Sequence, residues 1–89
     1  MTKEELREYI ECGDEIEYKY QEKWYSITFA RDDKNERWIS FCEFHQEPIH
    51  VKTFDELINI KYNGVTVMEM LESLGDEEAA GKRGDLLIF

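Results

Sequence analysis

The chain has 89 residues, 36% of them charged, with 21 acidic side chains against 11 basic ones and a formal charge of −10. That length makes one domain with one modest core, and 42% hydrophobic residues are enough to fill it. The acidity excludes direct nucleic-acid binding and docking on anionic lipid, which need a basic footprint, and leaves solubility or a basic partner surface as its use. No apolar run approaches the roughly 18 residues of a membrane span, and charges interrupt every apolar run near the N-terminus. Two cysteines, Cys12 and Cys42, make no disulfide framework. Free thiols without an export signal give the cytosol as the expected compartment.

In chain order, residues 2–12 predict a helix. Thr2 and Glu5 form a capping box, Leu6, Tyr9 and Ile10 fall on one apolar stripe, and Gly13 follows where a left-handed backbone is needed. Glu4, Glu8 and Glu11 project from the opposite side. From Glu15 to Phe44 the pattern changes to a period of two, the mark of half-buried strands. Ile16, Tyr18 and Tyr20 alternate with Glu15, Glu17 and Lys19, and Tyr25, Ile27 and Phe29 alternate with Ser26, Thr28 and Ala30. The first hairpin turns at Gln21 to Lys23, with no Gly or Asn to set its type. The second turns through residues 32–36, where Asp and Asn tolerate turn geometry. Pairing Phe29 with Ile39 sets Ile27 against Phe41 and Tyr25 against Glu43. That register sends Trp24, Ser26, Thr28, Ala30, Trp38, Ser40, Cys42 and Phe44 to the second face.

Pro48 breaks the ladder, and Ile49 to Val51 are expected to form a short edge strand. Thr53 with Glu56 opens a brief helix, and Asn63-Gly64 is a turn signal. Thr66 with Glu69 opens a last helix through Ser73 or Leu74, closed by Gly75. Residues 76–85 read as a mobile loop, and Leu86 to Phe89 as a terminal strand pairing with the sheet. The sum is a single α+β domain over residues 1–89: an N-terminal helix, a three- to four-stranded antiparallel meander, two short helices and a C-terminal apolar strand.

This order, with E-I-E-Y-K-Y, W-Y-S-I, F-C-E-F followed by P-I, then F-D-E-L-I and the terminal apolar strand, resembles a set of short uncharacterised proteins of Gram-positive bacteria, their phages and mobile elements. The likeness covers most of the chain. Those proteins carry an Asn-Gly turn near position 21, where this chain has Gln21-Glu22. The resemblance implies a bacterial, mobile-element setting and brings no activity, cofactor or catalytic residue with it.

Among reactive side chains, Cys42, His45 and His50 are the densest group, with Cys12 as a possible fourth zinc ligand. The plainer reading is a half-buried cysteine beside two surface histidines. A Cys–His nucleophile pair needs a thiolate, and acidic surroundings without a helix start work against one. Glu43 with Glu47 is the kind of carboxylate pair that chance produces among 21 acids. Gly81 and Gly84 flank Lys82-Arg83 without the preceding strand of a phosphate loop. The expectation is therefore a protein without enzymatic activity or cofactor.

Two surfaces remain as partner sites. Glu4, Glu8 and Glu11 continue into Asp14, Glu15 and Glu17, an acidic row that could imitate a phosphate track and occupy a basic channel on another protein. Lys3 and Arg7 interrupt it, and a solvated helix face is the commoner origin of such a row. Trp24, Trp38 and Phe44 border the small-polar strip on the second sheet face and suit recognition. With three helices available, the expectation is that the C-terminal helix or terminal strand covers that face. The reading for function is a small acidic regulator that binds another protein, of basic or nucleic-acid-binding kind. The zinc- or thiol-dependent protein built on Cys42, His45 and His50 stands as the alternative, and a homodimer pairing its edge strands as a third.

Overall fold

The computed structural model describes residues 1–79 and 86–89, and of residues 75–79 the backbone alone. Three consecutive strands pair as an antiparallel meander: β1 (Ile16–Tyr20), β2 (Lys23–Arg31) and β3 (Arg37–Glu43). Their register matches the alternation, with Phe29 opposite Ile39, Ile27 opposite Phe41 and Tyr25 opposite Glu43. A one-residue slip would turn every apolar side chain to the wrong face, so the burial pattern fixes the pairing. β4 (Ile49–Val51) adds to the outside of β3. The terminal strand β7 (Leu86–Ile88) pairs with β1, and Glu15 and Phe89 exchange backbone hydrogen bonds at 2.8 and 3.3 Å to extend that ladder. The sheet order is β4-β3-β2-β1-β7. A separate two-stranded ribbon, β5 (Lys61–Tyr62) and β6 (Val65–Thr66), closes through Asn63-Gly64.

Three helices complete the domain: α1 (Lys3–Cys12), α2 (Phe54–Ile58) and α3 (Val67–Ala79). Each opens with the expected capping box. Thr2, Thr53 and Thr66 accept from the amides of Glu5, Glu56 and Glu69 at 3.1–3.2 Å, and each glutamate accepts back from its threonine's amide. α1 ends at Gly13, whose φ of 79° only glycine adopts without strain. α3 runs past Gly75 to Ala79, so that glycine does not close the helix. A helix tolerates one interior glycine at about 1 kcal/mol, and the Asp76 to Ala79 sequence after it holds no proline to force an end. The expected 76–85 loop is corrected over its first four residues; residues 80–85 lie outside the described residues.

The core forms on one side of the sheet. Ile16, Tyr18, Tyr25, Ile27, Ile39 and Phe41 meet Leu6 and Ile10 of α1, Leu57 and Ile58 of α2, and Val67, Met70, Leu71 and Leu74 of α3. Full burial of each such side chain contributes about 1.5–3 kcal/mol. At the centre Tyr18, Tyr25 and Phe41 stack in sequence, with ring centroids 5.3 and 5.7 Å apart.

Candidate functional site

The same alternation that fills the core presents a second face to the outside. On β2 it carries Trp24, Ser26, Thr28 and Ala30, and on β3 Trp38, Ser40 and Cys42. The core cluster draws on none of these side chains, and among the described residues every helix packs its apolar stripe on the other side. The expected cover by the C-terminal helix or terminal strand is thus corrected. β7 lies beside the sheet as a fifth strand because its backbone completes the β1 ladder, and α3 buries its stripe against the core face. Phe44 remains 36% exposed and Leu87 41%, Ala30 is exposed, and Trp24, Ser26, Thr28, Trp38 and Cys42 are half-buried by their neighbours, while Ser40 is buried.

This open face carries no charged residue at its seven β2 and β3 positions, in a chain of which 36% is charged. Charges adjoin it on both sides: along β1 Glu15, Glu17 opposite Ser26 and Lys19 opposite Trp24, and at the other end Asp32 and Lys52 around Trp38. Trp24 to Ala30 spans about 20 Å along β2, and five strands span about 19 Å across. At one end Trp24 packs on Phe44, with centroids 6.2 Å apart, and the amide of Phe44 donates to the Trp24 carbonyl at 2.9 Å.

The other end is built around Trp38. Its indole Nε1 donates to Asp32 Oδ2 at 3.0 Å, and the Lys52 ammonium sits 4.7 Å above its ring. Asp32 Oδ1 accepts from the amides of Lys34 and Glu36, which shapes the turn, and Lys52 also pairs with Glu36 at 2.7 Å. The bond from Trp38 above all, then the amides of Glu36 and Lys34 and the nearby Lys52 charge, holds the Asp32 carboxyl below its usual range. Beside this indole, Ala30, Arg31 and His50 complete a shallow depression of about 330 Å³. Composition gave no hint that Asp32 fixes Trp38; the Asp–Trp spacing of six residues across a turn is the signal that held it.

The acidic row divides in three dimensions. Glu4, Glu8 and Glu11 are exposed on α1, away from Leu6 and Ile10 and hence away from the sheet, whereas Glu15 lies on the open face. Arg7 leaves the row by stacking its guanidinium 4.4 Å above the Phe54 ring of α2. The acidic helix and the aromatic face therefore look in opposite directions, and one flat partner surface reaches only one of them.

The cysteine and histidine group does not converge. Cys12 ends α1 on the core side of the sheet, while Cys42 faces the open side and its thiol donates to the carbonyls of Glu43 and Gln46. His50 stands opposite Ser40, and His45 occupies a left-handed turn position with φ 71°. Among the described residues no three His, Cys, Asp or Glu side chains gather as a metal site. Among them, too, no helix is long and apolar enough to cross a membrane. No family model matches the chain, and neither does any curated protein or solved structure.

Proposed function

We propose that this protein is a binding module whose working surface is the open face of its sheet, and that its partner is a protein segment. The observation that carries this reading is the strip of β2 and β3 between Trp24 and Phe44 at one end and Trp38 at the other, which is free of charged side chains and, among the described residues, of helix cover. A sheet face left without helix cover in so charged a chain ordinarily carries Lys and Glu, and half-buried tryptophans grouped over small residues suit an interface centre. The charge-free strip is about 20 Å long and only two strands wide, far smaller than the roughly 800 Å² per partner of a standard interface. It matches one helix or extended strand laid across the sheet better than a second folded domain. The net charge of −10 favours a segment with basic ends.

The test is partner capture on the immobilised protein, washed at low and high salt. Retention through high salt, lost in Trp24→Ser and Trp38→Ser, supports the reading. Capture that high salt removes, and that Glu4→Lys, Glu8→Lys and Glu11→Lys abolish, moves the site to α1, since screening weakens exposed charge pairing. The displacement of Arg7 onto Phe54, which leaves those glutamates less compensated, favours that second reading. Stoichiometric zinc in protein purified without chelator or histidine tag would transfer the function to Cys42, His45 and His50.

A further inference from the structure

On the core side of the sheet, at the end away from Trp38, the β1–β2 and β5–β6 turns flank a cleft of about 250 Å³. Each turn has two central residues with positive φ: 49° at Gln21 and 69° at Glu22 in one, 53° at Asn63 and 88° at Gly64 in the other. This type I′ geometry suits the twist of a hairpin and favours Asn-Gly strongly. The chain uses Asn-Gly on one side of the cleft and two long side chains on the other, where left-handed backbone is strained for any residue with a Cβ. A strained turn at the rim of a cleft points to side chains retained for use.

The lining gives those side chains a purpose. Tyr20 and Tyr62 offer half-buried rings and hydroxyls, Gln21 and Asn63 offer carboxamides, with Gln21 Nε2 donating to the Tyr20 hydroxyl at 3.3 Å and its oxygen left to accept, and Lys23 adds an ammonium. Tyr25, buried and held edge-on against Tyr62 with centroids 5.8 Å apart, closes one side. Tyr62 is fixed by donating to Glu43 Oε1 at 2.7 Å, and the other oxygen of that carboxylate lies 3.9 Å from Lys23. The lining contains no carboxylate to take a cation. Its one ammonium already shares Glu43, and a domain of charge −10 repels anions. What the cleft presents is aromatic rings for C–H faces and paired donors and acceptors for hydroxyls.

We propose that the cleft between the two turns binds a neutral polyhydroxylated ligand of one sugar ring, gripped by Tyr20, Tyr62, Gln21 and Asn63. This site is separate from the open face and stands or falls without it.

The experiment is amide NMR of the full chain titrated with glucose, galactose, mannose and N-acetylglucosamine, with inorganic phosphate as the anionic control. The expected result is saturable shifts at Gln21, Tyr62 and Asn63 with at least one sugar and none with phosphate. Gln21→Asn should raise stability, because Asn suits the turn, yet weaken sugar binding roughly tenfold by shortening the amide's reach. No saturable shift with any of the four sugars overturns the proposal. So does binding of phosphate in their place, or sugar shifts that Gln21→Asn leaves unchanged.

Discussion

Asp32 holds Trp38. One carboxylate oxygen takes the indole N–H at 3.0 Å while the other organises the turn that returns the chain to the tryptophan. A single acidic side chain thus sets both the β2–β3 connection and the position of a large aromatic on the open face. Asp32→Ala should leave the core intact but release the indole, read as a red shift and loss of anisotropy in Trp38 fluorescence with Trp24→Phe as background. The same change should appear in acid. The folded carboxyl titrates below its ordinary value of 3.8, so its contribution is full above that value and is lost as pH falls through the lowered one. An indole signal indifferent to both changes would mean that Lys52 alone positions the ring.

Each capping threonine should contribute about 1 kcal/mol, so Thr2→Ala, Thr53→Ala and Thr66→Ala should each lower the urea midpoint without altering the m-value. Their partners Glu5, Glu56 and Glu69 are held below the usual 4.5, in each case chiefly by a backbone N–H donated to the carboxylate: from Thr2, Lys52 and Thr66 respectively. Stability from these groups is present above 4.5 and declines as pH drops through the lowered values. Equilibrium unfolding across that range checks the sign; a midpoint that rises on acidification contradicts it.

At the opposite limit, burial raises Tyr18 and Tyr25, and the bond to Glu43 pushes Tyr62 up to about 12. A raised value means that the folded state keeps its proton longer. Stability is therefore full below the unfolded value of 10.0 and falls as pH climbs toward about 12. Circular dichroism should show alkaline unfolding in that window, with phenolate absorbance appearing together with the loss of structure.

Tyr18 donates its buried hydroxyl to Met70 Sδ at 3.7 Å, a weak acceptor. Removing the donor in Tyr18→Phe should change stability by less than about 1 kcal/mol. Removing the acceptor in Met70→Leu strands a buried hydroxyl and should cost about 1–3 kcal/mol. Thermal unfolding of the two variants compares them directly, and equal costs would refute this account of the pair.

The β1–β2 turn is under strain that Gln21→Asn with Glu22→Gly should relieve. The pair is expected to gain about 1–2 kcal/mol, since both left-handed positions become favourable. Denaturant unfolding measures the gain, and cross-strand contacts between Tyr20 and Lys23 verify that the register is kept.

The sequence by itself determined what depends on neighbours along the chain. Period-two alternation set the strands and, through Ile27, Phe29, Ile39 and Phe41, the register of the central hairpin. Thr–Glu spacing marked all three helix starts, and Gly13 marked the first helix end. These are local rules: a side chain's face and a cap's partner lie within four residues of where they are read. Tertiary structure alone decided the rest. Whether the three helices would share one face or cover both depends on where each connection returns, and nothing in the alternation of β2 and β3 says which of their two faces remains open. The acidic row, continuous in sequence, divided because Glu4, Glu8 and Glu11 face away from the sheet on α1 while Glu15 lies on its open face. Cys12 and Cys42 ended on opposite sides of the sheet for the same reason. Side chains far apart along the chain meet only after packing has chosen among folds that satisfy the same local rules.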